Sequence, residues 1–197
     1  KTIQAIGVAW CYEQEWPLLV VTPSSARYHW QKEVTKWLLK ENGQPIVPEK
    51  QVQVLTGGGQ PIAKKMRVLV VSYDLVDRVQ DKLRKVNGGA GFRVIIADEC
   101  HMLKNQQTKR AKATLPLLKA ANRAILLSGT PALSRPKELW SQLNVISHED
   151  WPDYKGFVKR YCSGESERGS KKGKGGGIRG GGGEGAGSCG GGGVGGG

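Results

Sequence analysis

The run Val94-Ile95-Ile96-Ala97, closed by the adjacent acids Asp98-Glu99, leaves little freedom in the choice of fold. Four apolar residues without alternation mark a strand buried on both faces, as in a parallel sheet covered by helices. An ionised carboxylate is costly to bury unless something pairs with it. Two of them at a strand's carboxyl end, where α/β sheets bind their ligands, point to a cation. In this reading Asp98 holds Mg²⁺, directly or through water. Glu99 orients and deprotonates an attacking water, which makes the pair the metal half of a phosphoryl-transfer site. The plainer alternative is a strand that ends in a solvated acidic turn.

The neighbouring segments repeat the pattern. Ile3, Ile6, Ala9, Trp10 and Tyr12 recur at near-helical spacing over residues 2–15, and Pro17 ends that run. Apolar strands are predicted at Leu18–Val21, Val52–Leu55, Arg67–Val71 and Ala124–Leu127. Between them lie helices. One is capped by Ser24 or Ser25 and carries Trp30, Val34, Trp37 and Leu38 on one stripe; another is capped by Asp74 and turns Leu75, Val79 and Leu83 inward. A helix over 108–121 buries Ala111, Leu115 and Leu118. Pro136 opens one with Leu139, Trp140, Leu143 and Ile146 in phase, and a short one spans 154–161. Strands alternating with helices build βαβ units on a parallel sheet. The tryptophans fall on these stripes and read as core rather than as platforms for bases.

Composition sets the limits. Residues 164–197 hold 19 of the 29 glycines and almost nothing apolar, so this tail is expected to be disordered. Residues 1–163 form the expected domain. They carry 25 Lys+Arg against 14 Asp+Glu, so most of the formal charge of +13 belongs to them. A basic fold favours a polyanion, nucleic acid before membrane. The four cysteines include no CxxC pair and make no zinc pattern, and no apolar run approaches a membrane span.

Four short motifs occur in order, each after the expected element. Lys1-Thr2 opens an apolar helix, as the end of a phosphate-binding Gly-x-x-x-x-Gly-Lys-Ser/Thr loop does; its glycines would lie before residue 1. Thr22-Pro23-Ser24 follows the first strand, Asp98-Glu99-Cys100-His101 the fourth, and Ser128-Gly129-Thr130-Pro131 the fifth. With Trp16–Ser25, Asp98–Asn105 and Ile125–Pro136 as they stand, the chain resembles the first RecA-like lobe of a Swi/Snf-type ATPase of helicase superfamily two. Ser134 within Ala132–Pro136 favours the annealing-helicase, HepA-related branch.

The resemblance implies an α/β, parallel-sheet RecA-like lobe, incomplete at its amino end, that uses ATP and Mg²⁺ and acts on DNA junctions or forks in the nucleus. Lys1, Asp98 and Glu99 would be catalytic. Lys1, Thr2, Asp98, Glu99 and His101 would hold the nucleotide, with Thr2 and Asp98 on the metal. Ser128, Gly129 and Thr130 would couple nucleotide state to movement through His101, which on its own residues reads equally as a satisfied, half-buried histidine. Thr22, Pro23, Ser24, Ser72 and Tyr73 would face the DNA backbone, with Arg27, Lys104 and Lys109 as weaker candidates. The second lobe, with its arginine fingers, is expected to be missing from this chain, which alone should not turn ATP over. The glycine-rich end matches nothing in that group and reads as a truncation or gene-model artefact. An RNA-acting DExH lobe and a non-catalytic nucleic-acid-binding fragment are the competing readings.

Overall fold

Every strand of the central sheet is parallel to its neighbours, and the order is β2-β3-β1-β4-β5. The strands are β1 (Leu18–Thr22), β2 (Val52–Val54), β3 (Val68–Ser72), β4 (Val94–Ala97) and β5 (Arg123–Leu126). The computed structural model describes residues 1–130 and 136–162. These lie within a compact unit spanning Lys1–Gly164. The glycine-rich tail and the branch-specific residues Pro131–Arg135 fall outside the described residues.

Helices cover both faces. α1 (Thr2–Trp10) and α2 (Arg27–Trp37) lie on one, and α3 (Tyr73–Arg84) and α4 (Lys109–Ala120) on the other. The sheet's twofold side-chain alternation separates two cores. Leu18, Val20, Val70 and Ile96 pack with Ile6, Trp30 and Val34. Leu19, Val21, Leu69 and Ile95 pack with Val79, Leu83 and Leu118. That is why these strands read as unbroken apolar runs: each successive residue has a core of its own to enter. β4 lies beside β1 in register, Leu18 to Val94 through Val21 to Ala97, which sets Asp98 next to the end of β1.

Several local expectations change. α1 stops at Trp10, and Glu13–Glu15 form a separate 3₁₀ turn. α2 begins at Arg27 after a 3₁₀ turn over Ser24–Ala26, so neither Ser24 nor Ser25 caps it. Ser72, not Asp74, stands at the start of α3, and Asp74 adds its charge to the first turn instead. Trp37 is 43% exposed, its indole donating to Glu33 one turn back. The last part departs most. α5 (Trp140–Ile146) buries Ser141, Gln142 and Asn144, while Ile146 is exposed. Its inward face is polar because it meets polar partners: Gln142 accepts from the Cys100 thiol, and Asn144 donates to the Trp151 carbonyl. α6 (Tyr154–Tyr161) follows, with Phe157 edge-on to Trp151 and tilted against Tyr161.

Candidate nucleotide site at the carboxyl rim of the sheet

The sharpest turn in the rim follows β4. Glu99 is left-handed (φ 48°, ψ 48°), a conformation a non-glycine residue adopts at a cost. This swings the chain into the 3₁₀ turn Cys100–Leu103, and the Cys100 N–H ties back to the Leu127 carbonyl at the end of β5 (2.8 Å). Glu99, His101 and Ser128 then meet. His101 Nδ1 lies 3.1 Å from Glu99 Oε2 and 3.2 Å from Ser128 Oγ. Ser128 Oγ also accepts the Thr130 N–H (3.2 Å). A protonated Nδ1 can donate to both neighbours; an unprotonated Nδ1 can only accept from Ser128 and loses Glu99. One ring nitrogen thus links the acidic turn to the hydroxyl-rich one.

Lys1 arrives from the start of α1. Its Nζ lies so close to Gly129 that a Cβ there would stand 3.1 Å from it. The ammonium therefore reaches the same rim as the acids. It makes no ion pair with Asp98 or Glu99. No side chain caps α1, so its first-turn N–H groups have capacity for an anion. Thr2, the first helical residue, is half-buried beside them.

Asp98 is held on every side. Its Oδ2 accepts from Thr22 Oγ1 (3.0 Å) and Trp30 Nε1 (2.9 Å), and its Oδ1 accepts the Glu99 N–H (3.0 Å). The Tyr73 hydroxyl donates to its backbone carbonyl (2.6 Å). Burial, and after it the nearby Cys100, Asp98 and Glu99, push the Tyr73 phenol well above its usual range, so it remains a donor. Burial also pushes the Cys100 thiol up to about 12, with the two acids adding to the shift.

Expected DNA contacts divide accordingly. Thr22, Ser72 and Tyr73 are buried at the strand ends and do not present their side chains to a strand of DNA in this conformation. Thr22 and Tyr73 serve Asp98 instead, because the parallel register brings the ends of β1 and β3 against the end of β4. Pro23 is half-buried and Ser24 exposed. Arg27 is spent on the Ser24 and Leu55 carbonyls, and Lys104 pairs with Glu138. Lys109 stands exposed. Sequence reasoning assigned Trp30 to the core alone. The signal that could have flagged it is general: a buried indole N–H needs an acceptor.

Among the described residues no group of three or more His, Cys, Asp or Glu could cage a metal ion. The donor set suits Mg²⁺ all the same, since that ion keeps several waters and takes only one or two carboxylates beside substrate phosphates. Asp98 Oδ1 still has a lone pair for such a water. No helix among the described residues is long and apolar enough to cross a membrane.

A parallel sheet in this order, with helices on both faces, is the fold of a RecA-like lobe. The SNF2-related domain family matches residues 1–174, and the chain belongs to that family. Its relatives include the SWI/SNF-related matrix-associated actin-dependent regulator of chromatin subfamily A-like protein 1 of Bos taurus. That protein is 41% identical over 167 residues, which cover 85% of this chain and 16% of the relative. The human DNA annealing helicase and endonuclease ZRANB3 is 37% identical over 166 residues, 83% of this chain and 15% of its own. The chain thus spans only a small part of the length of these relatives. Among solved structures, the Sulfolobus solfataricus SWI2/SNF2 ATPase core in complex with dsDNA shares the fold. Its TM-score is 0.61 at 22% identity, over 80% of this chain and 31% of that one.

Proposed function

We propose that residues 1–163 are the first motor lobe of an ATP-dependent DNA translocase of the annealing-helicase type, acting on forks and strand junctions in the nucleus. The observation that carries this reading is the convergence of Lys1, the Asp98-Glu99 turn, His101 and Ser128 on one rim. Membership of the SNF2-related family and the annealing helicases among its relatives support it.

In this site the Lys1 ammonium and the uncapped start of α1 would bind the triphosphate. Thr2 and Asp98 would hold Mg²⁺, which neutralises phosphate charge as the terminal phosphoryl group departs. Glu99 would take the proton of the attacking water. His101 Nδ1, shared between Glu99 and Ser128, would pass the protonation and position of Glu99 to the Ser128-Gly129-Thr130 turn. Pro23 and Ser24 would lie along the DNA backbone, where hydroxyls position a strand without reading its sequence.

Binding of a fluorescent ATP analogue to this chain with Mg²⁺ tests the site. Lys1→Ala removes a charged contact and should weaken binding about tenfold or more. Glu99→Gln should leave binding intact. The lobe alone should show no appreciable DNA-stimulated hydrolysis, because the facing lobe supplies half the cleft. Steady turnover by residues 1–197 that Glu99→Gln abolishes would contradict that part. Undiminished binding in Lys1→Ala would remove the site.

A further inference from the structure

Asp98 is held from three elements. Thr22 from the end of β1 and Trp30 from α2 reach its carboxylate, and Tyr73 from the start of α3 reaches its backbone carbonyl. Its own N–H continues the β-ladder to the Val21 carbonyl (2.8 Å). Thr22 and Trp30 are both fully buried, and both donate to the same oxygen, Oδ2. The indole lies 68 positions from Asp98 in the chain, so no local turn requires the bond.

A carboxylate oxygen has two lone pairs. Two donors saturate Oδ2 and fix the carboxylate's rotation about its bond to Cβ. Oδ1, with one bond to the Glu99 N–H, is then the oxygen with capacity left. Without the indole, a buried oxygen would lose half its hydrogen bonding, and the group would turn to recover it.

We propose that Trp30, with Thr22, is a positioning residue for the metal site: its indole N–H locks the Asp98 carboxylate with Oδ1 presented for Mg²⁺. This rests on the reading of Asp98 as the metal carboxylate. Trp30 does not touch nucleotide or metal; it acts through Asp98, as partners behind metal ligands do.

The test measures affinity for a fluorescent ATP analogue in Mg²⁺ and in EDTA, using the whole chain. Trp30→Phe keeps most of the volume and removes the donor. Thr22→Val does the same for the hydroxyl, and Thr22→Ser keeps it. Both Trp30→Phe and Thr22→Val should reduce the Mg²⁺-dependent gain in affinity by about tenfold, the scale seen when such partners are removed. Affinity in EDTA should not change, and Thr22→Ser should keep the gain. A fall of equal size in both conditions, or in neither, would overturn the proposal by reducing Trp30 to packing. If Trp30→Phe does not fold, the two Thr22 variants decide. The bond itself is read separately from the ¹H–¹⁵N indole resonance of Trp30, which should be protected from exchange and should move in Asp98→Asn. A resonance that does not move overturns the lock. A wild-type chain that gains no affinity from Mg²⁺ while that resonance does move would overturn the metal reading, and the proposal with it, but not the bond.

Discussion

Cys100 sits between the acidic turn and α5, yet it is the least reactive kind of cysteine. Its thiol is buried, donates to Gln142 and is pushed up to about 12. Unfolding would return it to the ordinary value near 9. The raised pKa therefore contributes stability that is fully present below pH 9 and is lost as pH climbs from 9 towards 12. The steepest loss is about 1.4 kcal/mol per pH unit. Tyr73 acts in the same direction above pH 10, since its phenol is also raised. Urea midpoints at pH 8, 9 and 10 should fall more steeply for the wild type than for Cys100→Ser; equal slopes would refute the assignment. At neutral pH an alkylating reagent should modify exposed Cys11 and spare Cys100. The acids and the histidine were legible as residues, because a buried strand that ends in two carboxylates needs a reason. Their holders were not. Thr22 and Tyr73 read as backbone-facing hydroxyls, and only the register of β1, β3 and β4 turns them onto Asp98.

Among the elements, the strands were the most legible, since two cores leave the interior positions of β1, β3 and β4 apolar on both faces. α5 was the least legible: its Leu-Trp-Leu-Ile spacing pointed one way, and the hydrogen bonds of Gln142 and Asn144 turned it another. Periodicity counts apolar residues and is blind to a polar face with partners. Capping was poorly legible: Ser24, Ser25 and Asp74 do not cap, and the side chains that do, Thr108 and Asp153, carried no such expectation. Thr108 accepts from the Ala111 N–H at the start of α4, and Thr108→Ala should cost about 1 kcal/mol in chemical denaturation. At α6 the Asp153 carboxylate accepts from the Lys155 and Gly156 N–H groups (3.1 and 2.7 Å). A Cβ on Gly156 would stand 2.9 Å from Asp153 Oδ2. Alanine is the better helix former by about 1 kcal/mol, but here it displaces the cap. Gly156→Ala should therefore fail to raise the thermal midpoint; a rise of ~2–4 °C would mean that the cap contributes little.

At the scale of the molecule, the strand order decides where chemistry can happen. The chain crosses from β3 over β1 to β4, so the two directions of winding part at β1, and its carboxyl end is where such sheets bind their ligands. Alternating strands and helices predict a parallel sheet but not that order, because right-handed crossovers still leave several arrangements. A cavity of about 600 Å³ lies at the opposite, amino-terminal end, lined by Pro17, Met66, Lys85 and Val86. In the proposed function Mg²⁺-bound ATP sits at the carboxyl rim and not there. Hydrogen exchange of this chain with and without a non-hydrolysable ATP analogue and Mg²⁺ measures this directly. Exchange should slow in residues 2–6, 98–101 and 128–130, and should not change around Pro17, Met66 and Val86. Protection confined to the opposite end, or absent from the Asp98–His101 turn, would contradict it.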